Sequence, residues 1–282
     1  MSKIGTLYLV ATPIGNLEDI SLRALRILKE VNLIAAEDTR QTLKLLNHFE
    51  IKNSLVSYHE HNKIDKGHQL VRQLLDGKEI ALVSDAGSPG ISDPGEELVR
   101  LAVEQGIAVT MIPGPAAVIA GLVLSGLPTG RFSFEGFLPM NKKVRGERLR
   151  SIKNDTRTLV FYEAPHKLNH TLKDLKAAFG NRRIALAREL TKKFEEIVRC
   201  TLDEAIEKYE KETPKGEFVL ILDGTDEKLL EEAKMSSWNE ISLVEHVKRY
   251  TDTGLDRKDA LKKVAEDRGV SKRDVYNSLI GK

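Results

Sequence analysis

The feature that most constrains this chain is a short apolar strand pattern, Ile80 to Val83, that runs directly into the loop Ser84 to Gly95. The loop contains three glycines and two prolines among short polar residues. Glycine lets the backbone approach a ligand closely or adopt a positive φ, whereas proline fixes φ and stiffens the remainder. Because ligands of open α/β proteins bind beyond the carboxyl ends of the strands, the loop predicts a small-molecule site.

The same arrangement occurs twice more in the first half of the chain. Leu7 to Val10 is followed by the loop Ala11 to Asn16, and Val109 to Ile112 by Pro113 to Ala117. Leu33 to Ala36 is a further predicted strand, followed by Glu37 to Arg40. Helical patterns separate these strands, and such alternation favours a mostly parallel α/β sheet with the three loops along one edge. A second βα-like set follows from about residue 158 to residue 222.

The fold class is therefore α/β, in three parts. We expect an N-terminal α/β domain at residues 1–126, a C-terminal α/β domain at 127–224 and a helical tail at 225–282. In the tail, Asp256 and Ser271 are predicted helix caps, with a glycine turn at Gly269 between the two helices. This order resembles a helix-turn-helix unit, and a plain three-helix packing module fits it equally well.

Composition narrows the function classes. Lys and Arg total 44 against 42 for Asp and Glu, so the net charge of +2 creates no overall field toward nucleic acid or membrane. The single cysteine, Cys200, excludes an intrachain disulfide and is typical of a reducing compartment. No uncharged apolar run approaches the roughly 18 residues of a membrane span. We expect a soluble cytoplasmic protein without a membrane partner.

The common nucleotide-binding motifs and the His-Glu-x-x-His zinc motif are absent from the sequence. There is no P-loop lysine motif, no Gly-x-Gly-x-x-Gly after the first strand and no His-Glu-x-x-His. Five segments instead carry a resemblance to a known superfamily. These are Val10 to Leu17, Ala36 to Arg40, Ser84 to Gly95, Ile112 to Ala117 and Phe161 to His166.

Taken together, these segments resemble the tetrapyrrole methylases. Within that superfamily they are similar to the branch that 2′-O-methylates a cytidine of 16S rRNA with S-adenosylmethionine. The resemblance implies two α/β domains with the cofactor in the cleft between them, a homodimer, and 16S rRNA or the small ribosomal subunit as partner. One departure is that Gly87-Ser88-Pro89 stands where the wider superfamily has Gly-Asp-Pro.

The resemblance also implies the cofactor contacts. We expect backbone contacts around Gly87, Ser88 and Ile91, and small residues against the cofactor at Ala116 and Ala117. The remaining positions that we expect to bind S-adenosylmethionine are Pro13, Gly15, Asp85, Tyr162 and Ala187. The transfer requires no metal.

Residues on the acceptor side follow from the chemistry of a ribose hydroxyl. The hydroxyl is a poor nucleophile unless its proton is removed or its developing charge is stabilised. We expect Glu163, Arg40 and His59 as catalytic candidates; a structural pairing of Glu163 with Arg188 or Lys167 is the alternative. His59 and His61 flank Glu60, a pattern compatible with a metal site, a solvent-exposed loop or a substrate-facing loop.

A basic segment supplies the predicted RNA contact. Residues 139–150 contain five basic residues and one acid beside the expected cleft, and RNA needs a phosphate-binding surface. We expect Lys142, Lys143, Arg145 and Arg148 to bind RNA; a solvated loop is the alternative. Two other functions stay open at this point, namely C-methylation of a tetrapyrrole on the same fold and a non-catalytic nucleic-acid-binding adaptor.

Overall fold

The structure is a computed structural model that describes residues 4–239 and 241–281. By their contacts these residues form two units, Met1–Arg150 with Thr158–Asp223, and Ser151–Arg157 with Gly224–Lys282. Both β-sheets lie in the first unit, and the second is helical. The predicted boundaries at residues 126 and 224 stay predictions.

The first sheet is entirely parallel, with the strand order β3-β2-β4-β1-β5. Its strands are β1 (Thr6–Val10), β2 (Leu33–Ala36), β3 (Leu55–Ser57), β4 (Ile80–Val83) and β5 (Ala108–Ile112). This confirms the parallel sheet read from the first half of the sequence, although β3 was not predicted. β3 has only three half-buried residues, too few for a periodic signal.

Helices cover both faces of this sheet. They are α1 (Leu22–Glu30), α2 (Thr39–His48), α3 (Lys63–Leu75) and α4 (Gly95–Glu104). The helix after β5 is α5 (Ala117–Ser125). Leu7 and Leu82 pack against α3 and α4, whereas Val10 and Val83 pack against α1 and α2. Strands buried on both faces read as unbroken apolar runs, which explains why β1, β2 and β4 were visible in the sequence.

The second sheet is mixed, with the order β6-β7-β10-β8-β9. Its strands are β6 (Phe132–Phe137), β7 (Thr158–Glu163), β8 (Arg183–Arg188), β9 (Glu196–Thr201) and β10 (Phe218–Leu222). Only β6 and β7 pair in parallel; the other three pairs are antiparallel. The predicted strands and helices of this half are present, and β9 is an additional strand between β8 and α8. Because β7 and β8 both run against β10, their carboxyl ends still lie on one edge.

Three helices accompany the second sheet, namely α6 (Lys142–Ser151), α7 (Leu168–Phe179) and α8 (Leu202–Lys211). Helix α5 also packs on it, through Leu122 among the core residues that include Val219 and Ile221. A Cβ on Gly121 would lie 3.1 Å from Val219 Cγ1, so glycine permits this close approach. The loop that precedes α5 is thereby held between the two sheets.

The second unit contains α9 (Glu227–Asn239), α10 (Leu243–Asp252), α11 (Arg257–Arg268) and α12 (Lys272–Leu279). Both predicted caps are confirmed: Asp256 accepts a hydrogen bond from the Asp259 amide, and Ser271 forms a capping box with Asp274. Gly269 between them has φ +63°, as a left-handed C-cap requires. Helix α9 was not predicted. Among the described residues, no helix combines the length and apolar character needed to cross a membrane.

Candidate active site

The loops after β1 and β4 are joined by a pair of backbone hydrogen bonds. The Thr12 amide donates to the Gly87 carbonyl at 2.9 Å, and the Gly87 amide donates to the Thr12 carbonyl at 3.0 Å. Gly87 is buried and has φ +81°. A residue other than glycine would be strained in this backbone conformation, so position 87 favours glycine on conformational grounds.

The remainder of the β4 loop is held by Asp93. Its carboxylate accepts hydrogen bonds from the amides of Gly90 at 2.8 Å, Ile91 at 3.2 Å and Gly95 at 2.7 Å. Ser88 Oγ donates to the Pro115 carbonyl at 3.4 Å and links this loop to the one after β5. The three glycine-containing loops therefore form one connected edge of the first sheet.

Tyr162 and Ala187 come from the second sheet. The Val118 amide, in the first turn of α5, donates to Tyr162 Oη at 3.2 Å. Burial raises the pKa of Tyr162, so the phenol stays neutral. Ala187 has no exposed surface and packs in the core beneath α5, so its side chain supports this wall of the site from inside.

The other predicted cofactor residues lie at several places along this edge. Pro13 and Asp85 line a cavity of about 220 Å³ together with Thr12, Ser84 and side chains of α2. Ala116 and Ala117 are half-buried at the start of α5, and Ile91 is exposed on the β4 loop. Gly15 differs, because a Cβ there would lie 2.3 Å from Lys192 Cγ, in the turn between β8 and β9.

This edge fits the expected cofactor. A Cβ on Gly87 would lie 3.3 Å from Ile14 Cγ2 and 3.6 Å from the Pro115 carbonyl oxygen, so a side chain here would press on the loops after β1 and β5. Small side chains, exposed backbone groups and the exposed Asp85 carboxylate suit a ligand that carries a sulfonium, an amino acid and a ribose. The residues that would hold S-adenosylmethionine are thus present on one connected surface.

Acidic and basic side chains gather where β2 and β4 end. Asp85 Oδ1 accepts a hydrogen bond from the Asp38 amide at 2.9 Å, and Asp38 pairs through two oxygens with Arg40. These hydrogen bonds from Arg40 lower the pKa of Asp38 to about 2. Burial, followed by the charge of Asp85, raises the pKa of Glu37. Sequence reasoning missed Glu37 as a candidate, although its signal is present: it is the first charged residue after a strand that is wholly buried.

His59 follows β3, whose last residue, Ser57, pairs with Ala36 at the end of β2, so His59 lies near this group. Its backbone amide donates to Asn62 Oδ1 at 2.9 Å, and its Nδ1 has no hydrogen-bond partner among the described residues. In the described part of the chain, no three His, Cys, Asp or Glu residues are grouped as metal ligands would be. The structure thus brings His59 and Arg40 to one edge of the first sheet.

Glu163 occupies a different environment, at the end of β7 in the second sheet. It is 4% exposed, and its carboxylate accepts hydrogen bonds from Thr171 Oγ1 and, at 2.8 Å, from the Ala164 amide. Arg145 Nη2 donates to the same Thr171 oxygen at 2.9 Å, and Arg145 Nε is 2.6 Å from Asp174 Oδ2. Glu163 and Arg145 therefore belong to one buried polar network. This burial weighs against the predicted roles of both, which stay predictions.

The predicted RNA segment is a helix rather than a loop. Asn141 Oδ1 accepts hydrogen bonds from the amides of Lys143 and Val144 and caps α6. Lys142 and Lys143 are exposed, and neither has an ion-pair partner among the described residues. Arg148 is half-exposed and pairs at 2.5 Å with the buried Glu135. The four basic residues thus divide into two open lysines and two arginines that have partners.

A parallel sheet and a mixed sheet are joined through α5, with the glycine loops at one edge of the parallel sheet. Solved structures share this fold. Uroporphyrin III C-methyltransferase from Thermus thermophilus matches with TM-score 0.56 and 22% identity, over 78% of this chain and 97% of that one. A diphthine synthase matches with TM-score 0.61 and 15% identity, over 78% and 90%.

The family of Tetrapyrrole (Corrin/Porphyrin) Methylases matches residues 6–206, and the chain belongs to this family. It is a methyltransferase that uses S-adenosylmethionine. Among curated proteins it is 55% identical to the ribosomal RNA small subunit methyltransferase I of Halalkalibacterium halodurans, over 97% of this chain and 94% of the relative. The protein of the same name from Bacillus subtilis is 47% identical over 98% and 94%.

Proposed function

We propose that the protein transfers the methyl group of S-adenosylmethionine to the 2′-hydroxyl of a cytidine in 16S rRNA. The observation that carries the proposal is the identity of 46–55% to several relatives named for small-subunit rRNA methylation, across nearly the whole chain. Solved tetrapyrrole enzymes that share the fold, at 18–24% identity, support the fold alone. Action on the small subunit further implies a cytoplasmic location.

In this reaction S-adenosylmethionine supplies an activated methyl group on sulfur. The chain orients the reactants: the Gly87 loop and the start of α5 hold the cofactor side, so that an acceptor oxygen can approach in line at about 3 Å. Residues beside the ribose hydroxyl would remove its proton or stabilise the charge that develops on its oxygen. Arg40 and His59, at the ends of β2 and β3, are proposed for that side; the buried Glu163 is the weaker candidate of the three.

Helix α6 offers a phosphate contact. Lys142 and Lys143 lie in its first turn, where a positive charge opposes the helix dipole and costs about 0.3–1 kcal/mol each. A phosphate at this place would interact favourably with both lysines and with the dipole. The unfavourable placement thus supports RNA binding over a purely structural role for the two lysines.

Reversing both charges, Lys142→Glu with Lys143→Glu, is expected to weaken RNA binding and to reduce its salt dependence. The slope of log K against log salt should fall by about 1.4, since each contact to single-stranded RNA accounts for about 0.7. Binding isotherms at several salt concentrations measure this slope. Lys29→Glu with Lys52→Glu, two exposed lysines elsewhere in the first unit, is the matched control. An unchanged slope would show that the two lysines of α6 are solvated and do not contact RNA.

The function itself is tested by mass mapping of 16S rRNA from a strain that lacks the gene. One cytidine ribose should lose its methyl group, and the purified protein with S-adenosylmethionine should restore it. If every ribose methyl survives the deletion, the proposal is wrong. Methylation of a tetrapyrrole by the purified protein would favour that alternative instead.

We also propose a homodimer, supported by α5. This helix contains no charged residue, and its face away from the second sheet leaves Ile119 47% and Val123 65% exposed. A helix that is apolar on all sides is normally covered. Sedimentation should show a dimer that Val123→Glu dissociates; a monomeric wild type would contradict the proposal.

A further inference from the structure

The turn between β8 and β9, residues 189–195, has an unusual backbone. Glu189 has φ +51° and Thr191 has φ +64°, both in the left-handed region. For a β-branched residue such as Thr191 this conformation is strained, by about 1–3 kcal/mol. Thr191 Oγ1 is also buried without a hydrogen-bond partner among the described residues.

Several polar contacts hold this strained turn in place. The Thr191 amide donates to Glu195 Oε2 at 2.7 Å. Lys192 Nζ donates to Glu189 at 2.9 Å and to Glu217 at 3.0 Å. The turn is therefore preorganised, and the residues at its tip are presented in a fixed geometry.

The tip carries an aromatic ring and a cation. Phe194 is 67% exposed, so most of its ring adds nothing to the core. Lys193 is exposed as well, and its Nζ lies 5.7 Å from the Phe194 ring centroid. An exposed aromatic ring beside an exposed cation is the combination that binds unpaired nucleotides, since bases stack on the ring and phosphates meet the cation.

The turn also lies directly against the loop after β1. Gly15 has no room for a side chain because Lys192 Cγ and the Leu190 carbonyl oxygen stand 2.3 Å and 2.9 Å from its Cβ position. An open groove of about 580 Å³ runs here, lined by Asn16, His48, Lys192 and Lys193 among others. Leu17 lines both this groove and the cavity lined by Pro13 and Asp85, so the groove adjoins the cofactor edge.

We propose that this turn is a docking platform for single-stranded RNA, with an unpaired base stacked on Phe194 and the adjoining phosphate on Lys193. The inference rests on the proposed function, and it names the form of RNA that the site takes: a strand whose bases are unstacked beside the target nucleotide. Stacking tolerates any base, so Phe194 would hold the strand without reading its sequence.

The test measures binding of a fluorescently labelled single-stranded RNA oligonucleotide to the full chain. Phe194→Ala should weaken binding by about 5- to 150-fold, the range for loss of one base–aromatic stack. Phe194→Trp should retain it, and Phe194→Leu, apolar but unable to stack, should not. Val103→Ala, at an apolar side chain 61% exposed on α4, is the matched control and should bind normally. Calorimetry should show unchanged affinity for S-adenosylmethionine in every variant.

Two results would overturn the inference. One is wild-type affinity of both Phe194→Ala and Phe194→Leu for the oligonucleotide. The other is a change of oligomeric state in Phe194→Ala during sedimentation, which would make the turn a contact between two copies of the chain. Methylation of 16S rRNA is scored separately, so loss of the stacking effect and loss of the proposed activity remain distinguishable.

Discussion

Gly87→Val is expected to abolish binding of S-adenosylmethionine while the rest of the fold persists. Gly87 has φ +81°, and its Cβ position already lies 3.3 Å from Ile14 Cγ2. The two γ-carbons of valine would fill the space beside Pro115 and strain the backbone that pairs with Thr12. Calorimetry should show a fall in affinity of at least 100-fold.

A second glycine separates the steric effect from the backbone effect. Gly106 also has positive φ, +66°, but no atom lies within 4 Å of its Cβ position. Gly106→Val should therefore carry a similar backbone penalty, visible as a lower melting temperature, with normal cofactor affinity. If Gly87→Val also binds normally, the β4 loop does not form the cofactor site.

Arg145→Ala is expected to lower the free energy of unfolding by about 3 kcal/mol. The Arg145 side chain is 7% exposed and contacts Asp174 and Thr171. Removing one partner of a buried ion pair leaves the other charged group buried without its partner. The figure is at the low end of the usual 3–5 kcal/mol because Asp174 is itself 31% exposed. Denaturant titration measures the change.

Lys142→Ala, on the exposed side of the same helix, is the control and should change stability by less than about 0.5 kcal/mol. Arg145→Lys should recover only part of the loss, since lysine lacks the planar fork that reaches two partners. The opposite pattern, normal stability with weakened RNA binding in Arg145→Ala, would show that Arg145 contacts RNA.

Lys142 and Arg145 belong to the same basic run, but their environments in the structure differ. In the sequence the four residues predicted to bind RNA are equivalent, and the segment has no apolar periodicity to indicate a helix. The structure turns Arg145 inward because Thr171 and Asp174, more than 25 positions away, provide its partners. The burial of Glu163 could not be predicted from the sequence for the same reason, since its contact with Thr171 depends on how α7 packs over β7.

Elements with a local signal were predicted correctly. β1, β2 and β4 were readable as apolar runs, and the caps at Asp256 and Ser271 as short polar residues before helical patterns. The edge strands β6 and β9 are only partly buried and have no such pattern, so they were missed. Their strand state depends on pairing with β7 and β8.

The sequence by itself determined the parallel sheet, the glycine loops at its edge and the family, because these depend on local periodicity, turn chemistry and motifs in order. Only the tertiary structure determined how those loops are arranged relative to one another. The pairing of Thr12 with Gly87, the packing of Gly15 on the strained turn at Thr191 and the burial of Arg145 all join residues distant in sequence. The Ser84 to Gly95 loop thus predicted a ligand site from its glycines, and the fold showed that Gly87 adopts a positive φ and pairs with Thr12.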